Sequence, residues 1–525
     1  MVAYAEHTSQ DTDMPDTNNV PPLPVDIKAF EMHAHQASPT LDAMIDYFQH
    51  WATRSYDGYH EAVALWTLST IAARRVVLPW RRGVWTPLYI MIVSRSTAHA
   101  KTEAAFYGSQ IIESCGLDFL LVPDETTPQR LLSKMCGQTV PRNYSVMTAE
   151  KRERQRLLSA FAGQRGWQYD EFGDLLQEVI KGRGSNAQFY RLLKQLYDSK
   201  TTFRYDTITR GEELIEMPYL SIIGTTAPDS LLPIAGADSA AWTDGAFARI
   251  AWIVPPSDSL KLDSAPDGGA EVPSAIRRKL LDWHHRLGEP PCEIVDLAEQ
   301  EELLDQALGA DRKKRKSKES TLEYRIDRGD LPQNPIYWTD SGVREMHEGY
   351  YKALATMGRD YNLDERFRSN YGRLPDMALK IAMLLASLEN NDRMDMRHWG
   401  RGQQIAERWR YNLHELVAQL STGHVAKPTY GALESAVIEV LEKNFKPGEK
   451  FNRRRVVEHG STLIRAKGSQ EVGKVLDELA GTDASIGSFK IGHEGVGRSA
   501  QYWLFDKIEK KKKEPEEEDY SFDAM

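Results

Sequence analysis

The sequence predicts an α/β protein: a P-loop nucleotide-binding core, helical segments on either side of it, and a C-terminal winged helix. Three observations carry this. Short apolar strands alternate with helical segments between residues 76 and 254, the pattern of a mainly parallel sheet. One strand, Tyr89–Val93, leads into Ser94-Arg-Ser-Thr-Ala-His-Ala-Lys101-Thr102, a polar loop that ends in Lys-Thr and opens a helix. Residues 431–505 read as three helices followed by a hairpin.

Composition narrows the classes. The chain has 525 residues, too many for one core, with 41% hydrophobic and 27% charged residues, as in an ordinary folded protein. A net charge of −10 excludes a global basic field, so any nucleic-acid contact must be local. Three widely spaced cysteines, Cys115, Cys136 and Cys292, suit neither a disulfide framework nor a metal cluster and point to a reducing compartment. No run of about 18 apolar residues marks a membrane span, and the polar N-terminus is no signal peptide. The expectation is a cytoplasmic protein with no membrane partner.

Taken in order, residues 1–37 read as a disordered arm, poor in groups to bury. Residues 38–80 read as helical: Ser38-Pro39-Thr40 can cap a start, and Leu41, Met44, Ile45, Phe48 and Trp51 recur at helical spacing. The core is expected over 81–260. It starts from a hairpin within Val76–Val93 and continues through strands at Phe119–Val122, before Asp170, at Tyr219–Thr226 and at Arg249–Val254. Thr127 and Pro128 form a helix N-cap and N1 pair, and a charged helix spans 149–160. Residues 261–335 read as an insertion or linker holding the basic run Arg312–Lys316, more often a solvated loop than a nucleic-acid contact. Residues 336–425 read as a helical lid, clearest at Leu374–Leu388, 430–506 as the winged helix, and 507–525 as a disordered tail of opposed charge blocks. Trp252 and Trp409 fall on apolar faces and are assigned to the core.

The chemistry is sought at the carboxyl ends of the strands. The loop residues Arg95, Ser96, Thr97, Ala98, His99 and Ala100 with Lys101 and Thr102 would cradle ATP phosphates, Lys101 on the terminal ones and Thr102 on Mg²⁺. Arg95 and Ala100 stand where the motif has glycines, which serve φ > 0 positions and close backbone approach. The Arg95 guanidinium could itself meet phosphate, and His99 could meet phosphate or solvent. Asp170 and Glu171 would hold the Mg²⁺ shell and polarise the attacking water; a solvated helix start is the plainer alternative. Thr225 could orient the water or, with Thr226, cap the turn before Pro228. Arg249 could reach a neighbouring subunit or make an ordinary ion pair.

The order of these motifs resembles a family of helicase-like P-loop ATPase domains of phages, plasmids and integrated elements, often beside primase-polymerase modules. The resemblance runs from about residue 40 to 415 through Trp85-Thr-Pro-Leu88, Asp124-x-x-Thr-Pro-x-x-Leu131, Asp170-Glu-Phe172, Pro218-Tyr-Leu-Ser-Ile-Ile-Gly-Thr-Thr-x-Pro228, Asp244-Gly-x-x-x-Arg249 and Gly372-Arg-Leu-Pro-x-x-Ala-Leu-Lys-Ile-Ala382. It implies a P-loop NTPase (RecA/AAA+-like) core and homo-oligomeric ring or filament assembly. It also implies that Lys101 and Thr102 are the phosphate and Mg²⁺ residues, Asp170 and Glu171 the acidic pair, Arg249 a residue acting in trans, and Arg373 a sensor-type Arg on the lid.

In the C-terminal segment, helices are expected at 433–441, 452–459 and about 468–480, then a hairpin of Ile486–Ile491 and Tyr502–Phe505 around a Gly-rich wing. Such a domain docks its third helix in a major groove and its wing on the backbone. Arg453, Arg454, Arg455, Arg465, Lys467, Lys474, Lys490 and Arg498 would contact DNA phosphates; protein contact is the alternative use of the same domain. Together these readings lead to an oligomeric ATP-dependent DNA helicase or translocase in a mobile-element, replication or defence context. The main alternative is a decayed P-loop scaffold that binds DNA as an initiator or adaptor, its tail recruiting a protein partner. A structural subunit with nucleotide as glue is a third.

Overall fold

The computed structural model describes residues 20–506 except 96–98, 124–125, 138, 182–184, 208–210, 237–238, 257–265, 298–299, 301–323, 362, 364, 390–391, 424–431, 447, 461, 482–488 and 495–499. The expected basic run at 312–316 and the tail at 507–525 lie outside the described residues. The chain divides into two compact units, Met1–Gly423 and His424–Met525.

In chain order the first unit contains helices α1 (Ala29–His33), α2 (Pro39–Trp51) and α3 (Asp57–Ala72), strands β1 (Val76–Leu78), β2 (Val84–Trp85) and β3 (Tyr89–Val93), and helices α4 (Lys101–Ser114), α5 (Pro128–Cys136) and α6 (Ala149–Ala160). Strand β4 (Gln164–Tyr169), helices α7 (Phe172–Lys181) and α8 (Ser185–Tyr197), and strands β5 (Thr202–Thr207), β6 (Gly211–Glu216) and β7 (Tyr219–Thr226) follow. Next come short α9 (Pro228–Leu231) and α10 (Ala240–Thr243), β8 (Ile250–Ile253), α11 (Ser274–Leu287), and strands β9 (Cys292–Asp296), β10 (Tyr324–Arg328), β11 (Asn334–Pro335) and β12 (Tyr337–Trp338). Helices α12 (Ser341–Asp360), α13 (Glu365–Tyr371) and α14 (Leu374–Leu388), strand β13 (Arg393–Met394) and the long α15 (Met396–Gly423) complete the unit.

The centre is a four-stranded, wholly parallel sheet of order β4-β7-β3-β8. Side-chain alternation along β3 feeds two cores. Ile90 and Ile92 join the cluster formed with α2, α3, α4, α11 and α14, while Tyr89, Met91 and Val93 join the one formed with α5, α7 and α8. A sheet covered on both faces needs strands apolar throughout, and β3, β7 and β8 are buried along their whole length. Helix starts follow the expected caps: Ser38 Oγ accepts the Leu41 N–H at 3.2 Å, and Thr127 Oγ1 accepts the Arg130 N–H at 3.3 Å. Among the described residues no helix is long and apolar enough to cross a membrane.

Several expectations are corrected. Residues 20–37 are not a loose arm. Leu23, Ala29, Ala34 and Ala37 are buried, the Ala29 N–H donates to Gln403 Oε1 at 3.0 Å, and Arg410 Nη1 donates to Pro21 O at 2.8 Å. The apolar run at 119–122 is no strand. Asp118–Leu120 is a 3₁₀ turn, and only Leu121 pairs, by one parallel bridge to Gly166 at the sheet edge. The antiparallel hairpin β5–β6 is an element beyond those expected: Phe203 and Tyr205 alternate with polar residues in β5, but β6 carries no such alternation. The segments given separate N-terminal, core, insertion and lid bounds share one continuous hydrophobic cluster from Leu23 to Trp409.

The second unit holds α16 (Ala432–Asn444), α17 (Arg453–His459), α18 (Thr462–Gly481), and the antiparallel hairpin of β14 (Phe489–Glu494) and β15 (Gln501–Asp506). Asn452 caps α17, its Oδ1 accepting the Arg455 N–H at 3.1 Å. Gly468, with φ 79, divides α18 in two; the part that follows it, to Gly481, is the third helix expected at about 468–480, and Thr462–Lys467 is a short helical segment added before it. Val437, Leu441, Phe451, Val456, Ile464, Val472, Leu476 and Tyr502 form a core of its own.

Candidate functional site

Three neighbouring parallel strands deliver polar side chains to one end of the sheet. Strand β3 ends at Val93, and the Ser94 N–H continues its pairing by donating to Thr226 O at 3.1 Å. Helix α4 begins at Lys101, directly after Ala100 in the left-handed conformation (φ 42, ψ 43). That is the conformation a glycine would adopt freely, held here by an L-residue at a cost of about 1–2 kcal/mol. Between them, Ser96, Thr97 and Ala98 lie outside the described residues.

Lys101 is only 8% exposed, and among the described residues its ammonium has no hydrogen-bond acceptor. Its nearest charge is Glu171, with Nζ 3.5 Å from a carboxylate oxygen that is half in solvent. A buried ammonium whose one ion pair is long and half in solvent leaves room for a further anionic partner. Asp170, directly after β4, gathers the remaining polar groups. It accepts from Thr102 Oγ1 at 3.3 and 3.4 Å, from the Glu171 N–H at 3.1 Å, and from the hydroxyl of Thr225 near the end of β7. Glu171 itself has φ 52, a second left-handed L-residue, here beside Lys101. Next to it Gly173 is required by packing, because a Cβ there would collide with Thr226 Oγ1. Lys101, Thr102, Asp170, Glu171 and Thr225 therefore share one site. Beside Asp170 a cleft of about 1200 Å³ opens along the outer edge of β4, lined by Gln168, Tyr169, Phe106, Arg130 and Lys134 among others. Among the described residues no group of three His, Cys, Asp or Glu converges as a metal site.

Two residues that no motif signalled hold the ends of the first loop. Ser55 Oγ donates to Ala100 O at 3.2 Å and Tyr59 Oη to Val93 O at 3.2 Å. His99 is buried, 8% exposed, rather than open to solvent; Arg95 is exposed.

Arg249 and Arg373 are elsewhere. Arg249 precedes Ile250, which pairs with Tyr89, the first residue of β3. It sits one strand length, about 16 Å, from the Lys101 end. It does not project into solvent as expected of a residue acting across a subunit boundary. Its guanidinium is 8% exposed and donates to Asp198 at 3.1–3.3 Å and to Gly245 O at 2.8 Å. Arg373 is the half-buried N-cap of α14 and faces the same pole, near Tyr197 and Lys380. Lys380, part of the Gly372–Ala382 motif but given no role by it, is fully enclosed there. It donates to Pro87 O at 3.1 Å, lies 3.4 Å from the Tyr197 ring centre, and burial pulls its pKa down to about 7.

In the second unit four of the eight cations expected on DNA have acidic or backbone partners. Arg454 pairs with Glu458 at 3.4 Å, Arg455 with Glu449 at 2.9 Å, and Lys474 with Glu471 at 2.9 Å; Arg465 donates to Glu458 O at 3.2 Å. Arg453 packs against Gly473, and Lys467 is exposed. The side chain of Lys490 and all of Arg498 lie outside the described residues. Compared with known proteins, the sequence matches no family model and no curated protein.

Proposed function

We propose that this chain is a P-loop ATPase of helicase or translocase type, fuelled by Mg·ATP and acting as an oligomer on DNA. The observation that supports it most is the meeting of Lys101, Thr102, Asp170, Glu171 and Thr225 at the carboxyl ends of β3, β4 and β7. In this reading the Lys101 ammonium, which has no hydrogen-bond acceptor among the described residues, receives the terminal phosphates, with the N–H groups at the start of α4 beside it. Thr102 and Asp170 would hold Mg²⁺, an ion that takes one or two protein oxygens and completes its shell from phosphate and water. Bound there, Mg²⁺ would neutralise charge on the phosphates. Glu171, half in solvent, would orient a water and take its proton, and the Thr225 hydroxyl, bonded to Asp170, would keep that carboxylate turned toward Thr102. Arg249 would complete a neighbour's site only on release from Asp198. We read the second unit as a winged helix that brings DNA to the motor.

The test is steady-state ATP hydrolysis with and without single- and double-stranded DNA, beside Lys101→Ala and Glu171→Gln. DNA-stimulated turnover that falls by about 10²-fold or more in both variants supports the motor. A background rate shared by wild type and variants ends that reading. It would leave the second one, a decayed P-loop scaffold that binds DNA, which the missing glycines at Arg95 and Ala100 favour.

A further inference from the structure

We infer that Ser55 and Tyr59 are positioning residues that do for this phosphate loop what its missing glycines would otherwise do. A loop of L-residues has no intrinsic reason to stay in a left-handed turn, and such strain persists only where surroundings over-determine it. Here the surroundings are the start of α3 and the residues before it. Both side chains are fully buried. The Ser55 hydroxyl donates to the carbonyl of Ala100, which also accepts the Ala104 N–H at 3.2 Å, so that one oxygen is pinned from two directions while its residue sits at φ 42. The Tyr59 phenol donates to Val93 O at the other end of the loop, within reach of the Ser94 hydroxyl. Burial raises the Tyr59 pKa far above neutrality, so the phenol remains a donor throughout the physiological range. Two hydroxyls four residues apart in sequence thus hold the entry and the exit of the loop. The exit residue aims the first N–H groups of α4 and the Lys101 side chain. For its functional meaning the inference rests on the nucleotide reading above; the clamp itself is a property of the nucleotide-free chain.

The experiment reads two quantities in the full-length protein: amide hydrogen exchange at residues 99–104 without nucleotide, and the dissociation constant of Mg·ATP with a fluorescent ATP analogue. Ser55→Ala and Tyr59→Phe should each speed exchange and weaken binding about 5- to 10-fold, the worth of one hydrogen bond. Adding Ala100→Gly to Ser55→Ala should restore affinity to within about twofold, because glycine occupies φ > 0 without strain. Should Ser55→Ala not fold, Tyr59→Phe, which removes a single oxygen, carries the test. Exchange and affinity equal to wild type in the folded variants would overturn the clamp, as would failure of Ala100→Gly to rescue. If the wild type binds no Mg·ATP, the nucleotide reading falls, and the exchange rates alone still decide the clamp.

Discussion

His284 is 1% exposed and receives the Arg75 Nη2–H on its Nδ1 at 3.0 Å. Arg75, itself fully buried, spends its other donors on the carbonyls of Ile71, Ala72, His284 and Gly288. Burial, then the Arg75 and His285 charges, pull the imidazole pKa down to about 3. Glu289 lies 3.7 Å from Nε2, but it is 36% exposed, and its screened charge does not offset burial. Unfolded, the same ring titrates near 6.5, so below that pH the unfolded chain binds a proton that the folded chain refuses. Stability is therefore expected to be constant above pH 6.5 in this respect and to fall as pH drops from 6.5 toward 3. Urea midpoints of wild type and His284→Gln check this: the variant should lose close to one proton's worth of that slope, and parallel acid profiles would refute the assignment.

Among the elements, the crossing of α14 and α15 has little room to give. Every residue of α14 except Asp376 is buried, and Gly402 of α15 lies against its backbone. A Cβ there would run into the Ala378 carbonyl and come within 3.2 Å of the Ala382 nitrogen, atoms that cannot rotate away. Gly402→Ala should destabilise the first unit by about 1–3 kcal/mol in equilibrium unfolding, and a variant as stable as wild type would show that the helices can separate freely. Strand β3 has the opposite character. Its apolar residues on both faces make it legible from sequence, and it carries the loop whose two ends are pinned by α3 and by the residues just before it.

On the scale of the whole molecule, the second unit has a core of its own, so residues 432–506 expressed alone should melt cooperatively. A broad, non-cooperative melt would mean that the unit depends on the rest of the chain. That stretch contains eleven Lys or Arg and eleven Asp or Glu, and several of its cations are already paired. Its binding to DNA should therefore release few counterions. A log–log salt slope of magnitude about 3 or less is expected for the isolated unit on duplex DNA, and a steep slope would indicate a basic face built by rearranging those pairs.

The sequence by itself determined the elements whose signals are local. The apolar run of β3, the Thr127-Pro128 start of α5 and the Leu374–Leu388 helix all stand where periodicity and capping put them, and Lys101, Thr102, Asp170, Glu171 and Thr225, named from motif order, do meet in space. Period and cap depend on neighbours a few residues away, which a linear reading contains. Only the tertiary structure decided that residues 20–37 pack on α15, that the apolar run at 119–122 pairs through one residue, and that Arg249 turns inward to Asp198 at the far pole of the sheet. The same holds for Ser55 and Tyr59, whose partners lie 45 and 34 residues away. No periodicity records such pairs, because strand order and the burial of each strand end decide which distant backbone groups come within reach of a hydroxyl.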